Sequence, residues 1–219
     1  MNRPPAIEIP LETTSGSDLH PAVIASSGSL DVLINNAGVG FGSDRTQRET
    51  SRDGFELRLA VNYLAPFVLT HELLARGTPT RAIVNVSSIG QEPIDTNDLL
   101  LEHAYDGVSA YRRSKLALIM HTFDVAAAFG SIASNALHPG TFLDTGMVRD
   151  AGITPLGPAT RGADVIAHVL SRALLDKTSG RYFDEMRQAR PNAQAFDLRA
   201  RARLREQTLA LTAPFRTSV

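Results

Sequence analysis

The short run Ile83-Val84-Asn85-Val86 constrains the fold of this chain more than any other segment. It shows no apolar/polar alternation, and stretches of helical period stand on both sides of it. A strand with one wet face alternates. A strand that does not is buried on both faces, and flanking amphipathic helices are what cover it in a parallel sheet. Comparable β-branched runs occur at 6–11, 31–35, 81–87 and 132–137, with a weaker one at 181–183. Helix-period stretches fall at 18–25, 51–76, 111–129 and 160–174, and a last one at 198–211. The expectation is an α/β fold: one domain over 1–219, with a parallel sheet of about five strands and helices on both faces.

Charge and composition remove several functions. Lys and Arg number 22 against 23 Asp and Glu, so the chain lacks the cationic footprint of a nucleic-acid or membrane-surface protein. With no cysteine there is no thiolate nucleophile and no Cys-ligated metal. The histidines show no H-E-x-x-H spacing, and no G-x-S-x-G elbow is present. Asp95, Asp98, Glu102 and Asp106 lack the glycine and spacing of a calcium loop and read as helix caps and solvated groups. Arg199, Arg201, Arg203 and Arg205 read as the wet side of a helix docked through Leu198, Leu204, Leu209 and Leu211. Residues 1–15 carry no apolar stretch with a cleavage site, and no run approaches the roughly 20 residues of a membrane span. The expected location is the cytoplasm.

The chemistry lies in Tyr111-Arg112-Arg113-Ser114-Lys115. At the start of a helix, Tyr111 and Lys115 stand at i and i+4 on one face. An ammonium beside a phenol favours the phenolate and draws its pKa from about 10 toward neutrality, where it can serve as an acid/base. Ser87-Ser88 ends the strand at 81–87, the turn Asn36-Ala37-Gly38 ends the strand at 31–35, and Pro139-Gly140-Thr141 follows the strand at 132–137. The carboxyl ends of parallel strands share one edge, so these features converge on one crevice. Pro66 has no N–H for the carbonyl of Asn62, so the helix over 51–76 is expected to kink and leave that oxygen free for a water or side chain.

Taken in order, NNAG at 35–38, Asn62 in VNYLAPF, VNVSS ending at Ser88, Tyr111-x-x-x-Lys115 and HPGT at 138–141 resemble the short-chain dehydrogenase/reductase superfamily. The long segment between Ser88 and Tyr111 is similar to that of its retinol-dehydrogenase-like branch. The resemblance implies a Rossmann-like doubly wound sheet and a catalytic tetrad of Asn62, Ser88, Tyr111 and Lys115. Tyr111 would exchange the proton, Lys115 would lower its pKa and hold the nicotinamide ribose, Ser88 would bind the substrate oxygen, and Asn62 would anchor a water. Asn36, Ala37 and Gly38 would lie against the adenosine ribose of NAD(P), and Pro139, Gly140 and Thr141 against the nicotinamide. Phe142, Leu143, Met147 and Val148 fall where the family covers its small-molecule substrate, which points to an apolar ligand. A homodimer through the helices at 51–76 and 111–129 is implied as well.

The chain departs from the family in two places. Where a threonine often follows the Pro-Gly, this chain has Asp144, with Thr145 one position later. The family's opening strand, its Thr-Gly-x-x-x-Gly-x-Gly turn and the following strand are not found, so 6–11 corresponds to the third strand, with Glu12 where an aspartate often sits near the adenine, and the fold reads as N-terminally truncated. Gly38–Gly42 is not a substitute, because no helix starts directly after it to present free N–H groups to a pyrophosphate. The strand at 31–35 thereby loses its usual neighbour, and 6–11 is expected to pair with it. Three functions stay open: an NAD(P)-dependent dehydrogenase, a cofactor-independent isomerase, dehydratase or cyclase using Tyr111 and Lys115, and a non-catalytic partner of a longer relative.

Overall fold

The computed structural model describes residues 30–103 and 105–215. The strand expected at 6–11, its pairing, the helix at 18–25 and Glu12 lie outside the described residues. Strands β1 (Val32–Asn35), β2 (Ala82–Val86), β3 (Ala133–His138) and β4 (Arg181–Asp184) run parallel in chain order, and β5 (Arg187–Ala189) returns antiparallel to β4. β5 carries no apolar signature, which is why the sequence alone does not reveal it. It exists because the chain reverses at Glu185, which holds a φ of 53°.

β2 is buried along its whole length, as its composition requires. Val84 and Val86 pack with Leu137, Phe183, Val165 and Val169 on one face. On the other, Ile83 meets Leu74, Val125 and Ile132. Helix α1 is made of Leu57–Leu59, a π-helical turn Ala60–Leu64, and Ala65–Ala75. It begins six residues later than the periodicity suggests, because Thr50 and Glu56 bridge in antiparallel fashion and Glu56 then caps the helix through the Leu59 N–H at 2.7 Å. Just before Pro66, where a kink is expected, the helix widens into a π-helical turn in which the Ala65 N–H reaches back to the Ala60 carbonyl.

Helix α2 (Gly107–Ala128) starts four residues before Tyr111, because Asp106 caps it through the Ser109 N–H at 2.8 Å. Gly107 is required there. A Cβ on it would lie 2.5 Å from the Phe41 carbonyl oxygen, and its N–H donates to the Arg45 carbonyl at 2.7 Å. Gly107→Ala is therefore expected to lower unfolding stability by about 2 kcal/mol, read from urea denaturation, where a helical Gly→Ala without the clash would stabilise.

Short helix α3 (Gly146–Asp150) and long helix α4 (Ala159–Leu175) follow β3, and α4 buries Val165, Val169 and Ala173. Helix α5 (Leu198–Thr212) docks through Leu204, Thr208 and Thr212, while Leu198 is exposed, contrary to the pattern read from sequence. α5 covers α2. Leu204 packs in one cluster with Leu116, Met120 and Phe123, Tyr63 Oη and Thr208 Oγ1 lie 2.8 Å apart, and Arg201 pairs with Asp124. Every residue of α2 from 114 to 123 is buried within the single chain. No described helix is long and apolar enough to cross a membrane.

Candidate functional site

Because β1 to β4 are parallel, their carboxyl ends lie along one edge. Asn36-Ala37-Gly38, Ser87-Ser88 and Pro139-Gly140-Thr141 leave the sheet there, as the sequence suggests, and the N-terminal part of α2 brings Tyr111 and Lys115 against them. Strand alternation separates the two serines. The Ser87 hydroxyl donates to the Lys115 carbonyl at 2.8 Å and is structural. The Ser88 hydroxyl accepts from the Gly90 N–H at 3.1 Å and also bonds Tyr111.

Tyr111 is partly buried, and its ring meets Phe41 edge-on with centroids 5.6 Å apart. Burial pushes the Tyr111 phenol above its ordinary value, and the hydrogen bond with Ser88 pulls in the opposite direction. Lys115 does share the face of Tyr111, with Nζ 5.7 Å from the ring centroid. It does not draw the phenol toward neutrality as the sequence spacing implied. Its ammonium donates to the Val86 carbonyl at 3.0 Å, and burial lowers its own pKa from 10.5 to about 8.

Asn62 is fully buried, and its side chain joins two distant parts of the chain. Nδ2 donates to the Val39 carbonyl at 3.1 Å and to Ser114 Oγ at 3.0 Å, and Oδ1 accepts from the Val39 N–H at 2.9 Å. The amide thus ties the turn after β1 to α2. Gly38 sits directly above it. A Cβ there would lie 3.1 Å from Asn62 Oδ1 and 3.3 Å from Lys115 Nζ. The same edge is braced underneath by Asn35 Nδ2 to Asn85 Oδ1 at 2.7 Å and Asn85 Nδ2 to Thr122 Oγ1 at 2.9 Å.

Past β3, Gly140 holds a φ of 129°, which favours glycine, and His138 Nε2 lies 3.2 Å from Thr141 Oγ1. Of the residues expected to cover a substrate, Phe142 is exposed and Leu143 turns inward beneath Gly140 and Gly162. Met147 lies over the Gly38–Gly40 ledge, with Cγ 2.8 Å from where a Gly40 Cβ would stand. Thr145 bonds the Leu143 carbonyl at 3.3 Å, and Asp144 pairs with Arg149.

A cleft of about 310 Å³ opens beside Ser88, lined by Ile89, Gln91, Tyr182, Asp184, Arg190 and Pro191 among others. Sequence reasoning missed Phe41, Gln91 and Tyr182. Only the closeness of Ile89 and Gln91 to Ser88 in the chain could have hinted at them. Asp95 and Asp98 cap turns, through Asn97 N–H and Glu102 N–H at 2.8 Å each, as expected.

The phenol and buried ammonium fit the nicotinamide–ribose end of a dinucleotide. Among the described residues no glycine-rich turn opens a helix toward a pyrophosphate, and after Gly42 the next helix begins only at Leu57.

The short chain dehydrogenase family matches over residues 11–154. Human retinol dehydrogenase 13 is 34% identical over 206 residues, covering 83% of this chain and 60% of that protein, so the chain spans less than two thirds of this relative's length. The crystal structure of an uncharacterised protein from Mycobacterium paratuberculosis is 27% identical with a TM-score of 0.69, covering 91% of this chain and 72% of its own. An NADPH-bound carbonyl reductase from chicken fatty liver shares the fold at 24% identity and a TM-score of 0.58, covering 83% of this chain and 75% of its own.

Proposed function

The chain belongs to the short chain dehydrogenase family, and from that premise we propose that it is an oxidoreductase interconverting a carbonyl and an alcohol with NAD(P). The observation that carries this reading is the convergence of Ser88, Tyr111 and Lys115 at one sheet edge, with Asn62 tying the opposite turn in place. The Tyr111 hydroxyl gives its proton to the carbonyl oxygen in reduction and takes one from the alcohol in oxidation. Ser88 donates to the same oxygen and orients it. Lys115 holds the nicotinamide ribose, and the turn Asn36-Ala37-Gly38 lies against the adenosine ribose. When bound, the nicotinamide supplies or accepts the hydride. The substrate lies in the cleft beside Ser88, whose lining mixes Ile89 and Pro191 with Asp184 and Arg190, so an amphipathic carbonyl compound suits it better than a wholly apolar one.

Calorimetric titration with NADH and NADPH tests the cofactor. Micromolar binding of either supports the reading, and no binding at millimolar concentration overturns it for this chain. The cofactor-free alternative is favoured by one observation, the position of Met147 on the Gly38–Gly40 ledge. It requires turnover of a substrate without nicotinamide that disappears in Tyr111→Phe.

The pKa of Lys115 sets an expected pH limit. Below about 8 the ammonium keeps its charge and above it the charge is lost. Carbonyl reduction should therefore decline on the alkaline side of pH 8, well before the raised Tyr111 phenol ionises. A reduction rate still level at pH 9.5 would contradict this.

A further inference from the structure

We propose that Gln91 and Tyr182 are positioning residues that set Ser88 for reaction by sharing its carbonyl oxygen; the inference rests on the oxidoreductase reading of this site. The last ladder bond of β2 is the Ser87 N–H to the Leu137 carbonyl at 2.7 Å. At Ser88 the chain leaves the sheet, and its carbonyl has no neighbouring strand to bond. Two side chains from different parts of the chain fill that role. Gln91 Nε2 donates to the Ser88 carbonyl at 2.9 Å, and the Tyr182 hydroxyl donates to it at 3.0 Å.

A carbonyl oxygen has two lone pairs, so both acceptor sites are taken and the peptide plane beyond Ser88 is fixed from two directions. On its N-terminal side the Ser87 hydroxyl is anchored to the Lys115 carbonyl. Between these restraints the Ser88 side chain is held toward Tyr111 and the Gly90 N–H. Tyr182 is 2% exposed on β4, and burial raises its pKa, so it stays protonated as a donor.

Gln91 does more than donate. Its Oε1 accepts from the Asn192 N–H at 2.7 Å, which joins the segment after Ser88 to the turn before the 3-10 helix Ala193–Phe196. Gln194 repeats the device three residues along, exchanging bonds of 2.7 and 2.9 Å with the backbone of Ile94. Gln91, Tyr182 and Asn192, which line the cleft, are therefore joined to the Ser88 carbonyl in one hydrogen-bonded unit.

The test uses Gln91→Glu, Gln91→Leu and Tyr182→Phe in the full chain. Gln91→Glu keeps an acceptor for Asn192 and replaces the donor to Ser88 with a repelling carboxylate oxygen, whereas Gln91→Leu removes both bonds. The expected result is a fall in kcat of about tenfold for Gln91→Glu and Tyr182→Phe, with cofactor KM within twofold of wild type and melting temperature unchanged. Hydrogen exchange of the Gly90 amide, whose acceptor is the Ser88 hydroxyl, should accelerate at least fivefold in both variants. Gln91→Glu with wild-type kcat and wild-type Gly90 protection would overturn the proposal, leaving Gln91 a tether for Asn192. A rate loss that follows melting temperature across all three variants would overturn it too. Wild-type protein without turnover would defeat the oxidoreductase reading, and Gly90 exchange alone would then decide whether the two donors position Ser88.

Discussion

Tyr111→Phe is expected to lower turnover by about a thousandfold, in the middle of the range for loss of a general acid/base. The substitution removes one oxygen. The ring keeps its edge contact with Phe41 at 5.6 Å, and the helix around it is undisturbed because Lys115 and Asn62 bond elsewhere and the Ser114 hydroxyl donates to the main-chain carbonyl of Tyr111, which the substitution leaves in place. Stability should therefore change by no more than about 1 kcal/mol, the scale of one hydrogen bond, that with Ser88. The two readouts separate chemistry from folding. A folded variant within threefold of wild-type turnover would remove Tyr111 from the mechanism and with it both enzymatic readings of the site.

The second large effect is on stability and involves a residue far from the chemistry. His121 lies on α2 among Phe67, His71 and Tyr63, fully buried, with no partner for Nε2. Burial, reinforced by His71 and Arg205, lowers its pKa from 6.5 to about 3. The unfolded chain binds this proton near 6.5 and the folded chain does not, so unfolded molecules carry more protons between those values. Stability is complete above pH 6.5 and is lost as pH falls toward 3, by on the order of 4 kcal/mol from this group. His121→Leu should match wild type at pH 7.5 within about 1 kcal/mol, since Nε2 loses no hydrogen bond. It should then gain steadily over wild type between pH 6.5 and 4.5, measured by urea unfolding. Parallel curves for the two proteins would show that His121 is not what makes the fold acid-sensitive.

Much of this site was legible before any coordinates. Tyr111 and Lys115 occupy one face because helical geometry alone puts i and i+4 together. Ser88, Gly38 and Gly140 reach the same edge because parallel strands align their carboxyl ends. Roles were less legible than positions. Nothing local to Asn62 announces that its side chain is committed to Val39 and Ser114, 23 and 52 residues away. Lys115 was expected to act on the phenol, whereas its nearest acceptor is Val86, 29 residues back. A pairwise rule along one helix has no knowledge of an acceptor brought in by a strand.

By itself the sequence determined what local physics controls. The unbroken apolar run of β2 demanded helices on both faces, and the 3.6-residue repeat aligned Tyr111 with Lys115. Tertiary structure alone decided that the Ser87 hydroxyl is spent on Lys115, that Phe41 packs on Tyr111, that Met147 covers the Gly38–Gly40 ledge, and that Gln91 and Tyr182 meet at one carbonyl. Those contacts join residues distant in the chain or hang on side-chain direction at the end of a strand. Their partners are chosen by how the sheet and helices pack, which local preference cannot specify.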